Sequence, residues 1–89
     1  MEAKQDITIQ NKLGLHARPA AQLVQVSNKF MAEITFRRRG EEVNGKSIMG
    51  VLMLAAPQGA VIRVTARGED AAAAVQAVAD LVAGKFGEE

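Results

Sequence analysis

Cysteine, tryptophan and tyrosine are all missing from this 89-residue chain, and three phenylalanines are its only aromatics. Without cysteine there is no disulfide staple, no thiolate nucleophile and no cysteine-based zinc site. With one histidine and no cysteine, a transition metal would rest mainly on carboxylates, a poor donor set for it, so neither metal nor cofactor is expected. A dominant charge is missing too: 11 Lys and Arg oppose 10 Asp and Glu, a formal net charge of +1. That balance supplies no field for nucleic acid or an anionic membrane surface. The longest apolar run, Ile48 to Pro57, is about half the roughly 18 residues a bilayer span needs. The first ten residues, MEAKQDITIQ, are polar and hold no apolar core of a signal peptide, which points to a cytoplasmic location.

What is present suffices for one domain over residues 1–89, near the lower size limit for a single unaided core. Hydrophobic residues make up 48%, so Ile, Val, Leu, Ala and Met must build that core. DITIQ alternates and places Ile7 and Ile9 on one face of a strand. From Ala17 to Phe30, Ala20, Leu23, Val24 and Phe30 recur at helical spacing, with the small Ser27 on the same side. Pro19 fits the first turn of that helix, where its missing N–H breaks no bond.

AEITFRR alternates again, with Ile34 and Phe36 inward, and RRGEEV reads as a tight hairpin about Gly40 ending near Val43. Ser47 precedes a short apolar helix, IMGVLML, which Pro57-Gln58-Gly59 is expected to terminate. AVIRVTARG buries Ile62, Val64 and Ala66 by alternation. Glu69 and Asp70 supply acidic residues for a last helix, with Val75, Val78, Leu81, Val82 and Phe86 as its stripe. The order is strand, helix, strand, strand, helix, strand, helix. One-sided alternation puts the helices on one face of a four-stranded sheet, an α+β two-layer domain.

The sole histidine, His16, lies at or just before the start of the first helix, in NKLGLHARPA. Unpaired N–H groups of a first turn point outward with partial positive charge and suit an anion. Arg18 can bring a fixed cationic fork to the same anion. An imidazole nitrogen is a nucleophile, so a phosphoryl group arriving there would meet both kinds of stabilisation. Ala17, Arg18 and Pro19 form this anion pocket. Pro19 withholds one donor, which moderates the grip, as a group that must be passed on requires. Phosphoryl transfer asks mainly for positioning and charge stabilisation. A histidine near a helix start also serves elsewhere as a plain surface residue, and physics alone leaves both readings standing.

GLHARPA resembles the phosphorylation-site motif of the HPr family, histidine phosphocarriers of the bacterial phosphoenolpyruvate-dependent phosphotransferase system. A second segment, GKSIMGVLML, resembles that family's regulatory-serine region, and the resemblance runs from about Asp6 to Phe86. It implies that His16 carries the phosphoryl group on Nδ1 and that Arg18 assists transfer. It implies enzyme I as donor, a IIA protein or domain as acceptor, and a stoichiometric carrier, not an enzyme, acting as a monomer in sugar uptake. It also implies an open-faced β-sandwich of four antiparallel strands covered by three helices; periodicity does not give the strand order.

The apolar helix gains a second meaning from the resemblance. Ile48, Met49, Leu52 and Met53 exceed what one narrow buried stripe needs, so some should be exposed. Ala17, Ala21, Ile48, Met49 and Leu52 are the expected partner-binding residues, and methionine suits a surface that repacks against several partners. Ser47 is open to two readings: a helix N-cap, or the serine that a dedicated HPr kinase/phosphorylase modifies in regulated members. Phosphate there would place a charge of about −2 inside the docking patch.

Rival readings divide on particular residues. A regulatory, non-transferring paralogue would lack the histidine that this chain keeps. A nitrogen-branch carrier is favoured by NKLGLHARPA and the tail AGKFGEE, whereas GKSIMG favours the sugar-linked branch, so the branch stays open. Arg37, Arg38 and Arg39 form a solvated basic turn. The chain has no nucleophile-elbow pattern, and Gly45-Lys46 lacks the upstream glycine of a phosphate loop, which argues against a hydrolase or nucleotide site.

Overall fold

The computed structural model describes residues 1–88. Its elements are β1 (Glu2–Thr8), α1 (Ala17–Ser27), β2 (Glu33–Arg38), β3 (Glu41–Asn44), α2 (Ile48–Met53), β4 (Val61–Arg67) and α3 (Ala71–Ala83). A 3-10 turn, Lys85–Gly87, follows α3. The four strands form one sheet in the order β1-β4-β2-β3, every neighbour antiparallel. The architecture is the expected open-faced sheet with three helices, and β4, the last strand in the chain, lies centrally between β1 and β2.

Alternation decides which face is covered. Ile7 opposes Ile62, Phe36 opposes Val64 and Ile34 opposes Ala66, and all six are buried. These side chains meet Ala20 and Leu23 of α1, Val51 of α2, and Ala71, Ala74, Val75, Val78 and Val82 of α3 in one cluster. Phe36 is its largest fully buried member; truncating such a side chain to alanine typically costs about 3–5 kcal/mol. The other face carries charge ladders: Arg63 donates to Asp6 at 2.8 Å, and Arg67 contacts Glu2 at 2.6 Å. These guanidiniums hold the Asp6 and Glu2 carboxyls below their ordinary pKa, but such exposed pairs add little to stability.

Four local expectations need correction. β1 begins at Glu2, well before the alternating DITIQ, because backbone pairing with β4 carries on to Arg67 whatever the side chains are. α1 stops at Ser27, short of Phe30: the Asn28 backbone N–H still makes the last helical bond to the Val24 carbonyl, but its side-chain amide turns back to the same carbonyl, and such local side-chain bonding competes with helix continuation. Phe30 lies half-buried in the turn beyond. α2 ends at Met53, ahead of Pro57-Gln58-Gly59, with Ala55 left-handed at φ 48°. Asp70 does occupy the N-cap of α3, yet its side chain makes no cap bond. Its carboxylate instead accepts from the backbone N–H groups of Met31 and Ala32, at 2.8 and 2.9 Å.

The hairpin was legible. Arg39 and Gly40 both have positive φ, the conformation that matches strand twist in a two-residue turn. Phe86 reaches the core, as expected, but from beyond the helix: α3 ends at Ala83, and Phe86 is buried at φ 55°. No helix among the described residues is long and apolar enough to cross a membrane.

Candidate functional site

The loop from β1 to α1 is held before the helix starts. The Gly14 backbone, at φ +69°, lies so close to Ala56 and Pro57 that a Cβ there would stand 2.5 Å from the Ala56 carbonyl oxygen. Next to it, the Leu15 N–H donates to that same carbonyl at 2.8 Å, and the Leu15 side chain is buried. The segment entering α1 is thereby tied to the chain leaving α2, and α1 packs against α2. Two stretches some forty residues apart in sequence are brought to one end of the molecule.

His16 is the N-cap of α1, in extended conformation at φ −83° and ψ −173°, and its carbonyl accepts from Ala20 N–H at 3.1 Å. Its side chain does not cap the helix, and the first turn carries no acidic residue. The N–H groups of Ala17 and Arg18 therefore have no intrahelical acceptor and add their partial positive charge to the ring's surroundings. Ala17 and Arg18 are exposed, Ala21 is half-buried, and Arg18 forms no ion pair among the described residues. Pro19 is fully buried, so the residue expected to withhold a donor also packs its ring into the core.

Two residues that the sequence reading missed complete the surroundings. His16 Nε2 lies 2.9 Å from Glu88 Oε2. The other oxygen of that carboxylate accepts from the side-chain amide of Asn11 at 2.9 Å, and the same amide nitrogen donates to the Gly14 carbonyl at 2.8 Å. Asn11 is fully buried. Both partners of its amide nitrogen are acceptors, which fixes the orientation of the amide. Asn11 stood inside the quoted motif with no chemistry assigned to it. Glu88 had no signal at all, because it is 72 residues from His16.

The patch on α2 is exposed where excess apolar residues were expected. Ile48, Met49 and Met53 are 43%, 69% and 62% exposed, Leu52 is half-buried, and only Val51 is core. Ser47 caps α2, its hydroxyl accepting from Gly50 N–H at 3.2 Å. A part-exposed imidazole, a free guanidinium, open backbone donors and an adjoining apolar surface suit a phosphoryl group delivered by one macromolecule and taken by another.

Comparison with known proteins bears on this chemistry. The family profile described as "PTS HPr component phosphorylation site" matches residues 3–84. The chain belongs to the HPr family. It is 52% identical over 84 residues to the phosphocarrier protein HPr of Xylella fastidiosa, covering 94% of each chain. The crystal structure of an HPr from Thermoanaerobacter tengcongensis superposes with a TM-score of 0.94 at 46% identity, covering 98% of each chain. A structure described as an HPr dimer from the same organism matches at 48% identity and a TM-score of 0.79, over 92% of this chain and 94% of that one. HPr proteins are phosphocarriers of the phosphotransferase system, and this chain is one of them.

Proposed function

We propose that this HPr protein accepts a phosphoryl group on Nδ1 of His16 from phosphorylated enzyme I and passes it to IIA proteins that drive sugar uptake. The observation that carries the reading is the position of His16: the N-cap of a helix with uncapped donors, no acid in its first turn, and Arg18 two residues on. In this reading Arg18 stabilises charge on the moving phosphoryl group, and the first-turn backbone N–H groups of Ala17 and Arg18 do so as dipoles. Pro19 offers no donor, so the group is held without a full amide cradle. Ala17, Ala21, Ile48, Met49 and Leu52 form the docking surface. The protein acts as a cytoplasmic monomer and a stoichiometric carrier, regenerated when the acceptor takes the group.

Ser47 is the point at which an HPr kinase/phosphorylase would intervene. Phosphate at the N-cap of α2 is compatible with the fold, while its charge, beside Ile48 and Met49, would repel an acidic partner.

The test is incubation with labelled phosphoenolpyruvate and enzyme I. An acid-labile, base-stable label should form on the native protein and be absent from His16→Ala. Arg18→Ala should accept label roughly 10- to 100-fold more slowly, the scale of losing one charge-stabilising group at a partly solvated site, with unchanged thermal stability. Labelling of His16→Ala at the native rate would overturn the proposal.

A further inference from the structure

The end of the chain folds back onto the candidate phosphoryl acceptor, and the residues that do so lie past the stretch matched by the family profile, which ends at residue 84. Lys85, Phe86 and Gly87 take positive φ in succession, at 57°, 55° and 74°. Two of these residues carry side chains, for which the left-handed region is unfavourable, and such conformations persist only where the surroundings hold them. Here the buried Phe86 is the anchor. Backbone bonds from Gly87 N–H to the Gly84 carbonyl and from Glu88 N–H to the Lys85 carbonyl, at 3.0 and 2.8 Å, close the turn. Its effect is to deliver Glu88 against His16, with the glutamate side chain only 15% exposed.

Both carboxylate oxygens of Glu88 are engaged, Oε1 by the Asn11 amide and Oε2 by His16 Nε2. A carboxylate only accepts, so the proton of the histidine contact sits on Nε2. In the uncharged ring the lone pair is then on Nδ1, which makes no hydrogen bond among the described residues. Asn11 is itself held in place: it is fully buried and tied to the Gly14 carbonyl. A fixed amide therefore aims a fixed carboxylate at one nitrogen of the ring and leaves the other for chemistry.

We propose that Glu88 is a positioning residue for phosphoryl acceptance, holding His16 in the Nε2–H tautomer and balancing the charge that appears on its ring. The inference rests on the reading of His16 as the phosphoryl acceptor. In the step, the Nδ1 lone pair forms the new N–P bond while the donor's own bond to phosphorus breaks and its electron pair stays with the donor. No proton needs to leave, because Nε2–H is retained. The ring consequently gains positive charge as the bond forms, and the Glu88 carboxylate, 2.9 Å from Nε2, stabilises it without moving. Asn11 keeps the carboxylate in place through its other oxygen.

The test uses the full chain with Glu88→Ala and Glu88→Gln, each checked by thermal melting. Nitrogen-15 NMR of the imidazole, on unphosphorylated protein, reads the tautomer without any transfer partner. The native protein should be predominantly Nε2–H, Glu88→Ala should shift toward a mixture, and Glu88→Gln, which keeps an acceptor oxygen, should retain the native balance. Acceptance from phospho-enzyme I should slow about tenfold in Glu88→Ala, the scale of one charge-assisted hydrogen bond, and less in Glu88→Gln. An unchanged tautomer balance in Glu88→Ala overturns the inference, as does an unchanged or faster rate. A chain truncated after Gly87 is read by the same two measurements. Labelling of His16→Ala would instead overturn the underlying reading and leave the tautomer result standing as a separate fact.

Discussion

Replacing Gly14 with alanine should damage both the fold and the site, by an amount the geometry separates into two parts. At φ +69° a side-chain-bearing residue loses roughly 1–2 kcal/mol relative to glycine. The new Cβ would also stand 2.5 Å from the Ala56 oxygen and 2.9 Å from Pro57 Cα. Both are backbone atoms that cannot rotate away, and overpacking of this kind costs about 1–3 kcal/mol. The sum, roughly 2–5 kcal/mol, is a large share of the roughly 4–13 kcal/mol that holds a chain of this length folded. At about 4–8 °C per kcal/mol for so small a domain, the melting temperature should fall by about 10 °C or more. Gly59→Ala is the control: φ is +90° there, but nothing lies within 4 Å of the added Cβ, so only the conformational part is lost. Urea and thermal denaturation by circular dichroism would measure both variants. Gly14→Ala should exceed Gly59→Ala by about 1–3 kcal/mol, and still-folded Gly14→Ala should accept phosphoryl groups more slowly because His16 is displaced. Equal destabilisation of the two variants would refute the claim that close packing on Ala56 and Pro57 holds the His16 loop.

Ser47→Ala should cost about 1 kcal/mol through loss of the cap bond to Gly50, read as a lower melting temperature, and should abolish ATP-dependent labelling by the kinase. Met49→Glu, at a 69% exposed position, should change stability by no more than about 0.5 kcal/mol while weakening partner binding in calorimetry; unfolding would place Met49 in the core. Asp70 accepts backbone bonds from Met31 and Ala32, which hold its carboxyl below the ordinary 3.8. A depressed folded-state pKa stabilises the fold above the unfolded-state value and is lost as pH falls through the folded one. Native protein should therefore exceed Asp70→Asn in urea-measured stability at pH 6, with the gap closing below about pH 4; a gap that widened on acidification would contradict the assignment.

Periodicity located most elements because one face of each is buried and the other wet. Ile7, Ile34, Phe36, Ile62 and Val64 announced the inner face of the sheet two residues at a time. Ends were less legible, since they depend on single side chains with alternatives: Asn28 turns to the Val24 carbonyl, and Asp70 serves a loop in place of its own helix. Within the site, the placement of His16, Arg18 and Ser47 at helix starts could be read from local sequence, because a helix start is marked by residues one or two positions away. Asn11 and Glu88 could not.

By itself the sequence determined which residues were available for chemistry and which faces would seek the core: one histidine at a helix start, one arginine beside it, and an excess of apolar residues after Ser47. These follow from local backbone geometry and the alternation of apolar with polar positions, and both are short-range. Only the tertiary structure decided that β4 sits between β1 and β2, that the loop at Gly14 rests on Ala56 and Pro57, and that Glu88 reaches His16 across 72 residues. The physical reason is common to all three. Each is a contact between segments distant in the chain, selected by how the whole core packs, and no local pattern of residues encodes it.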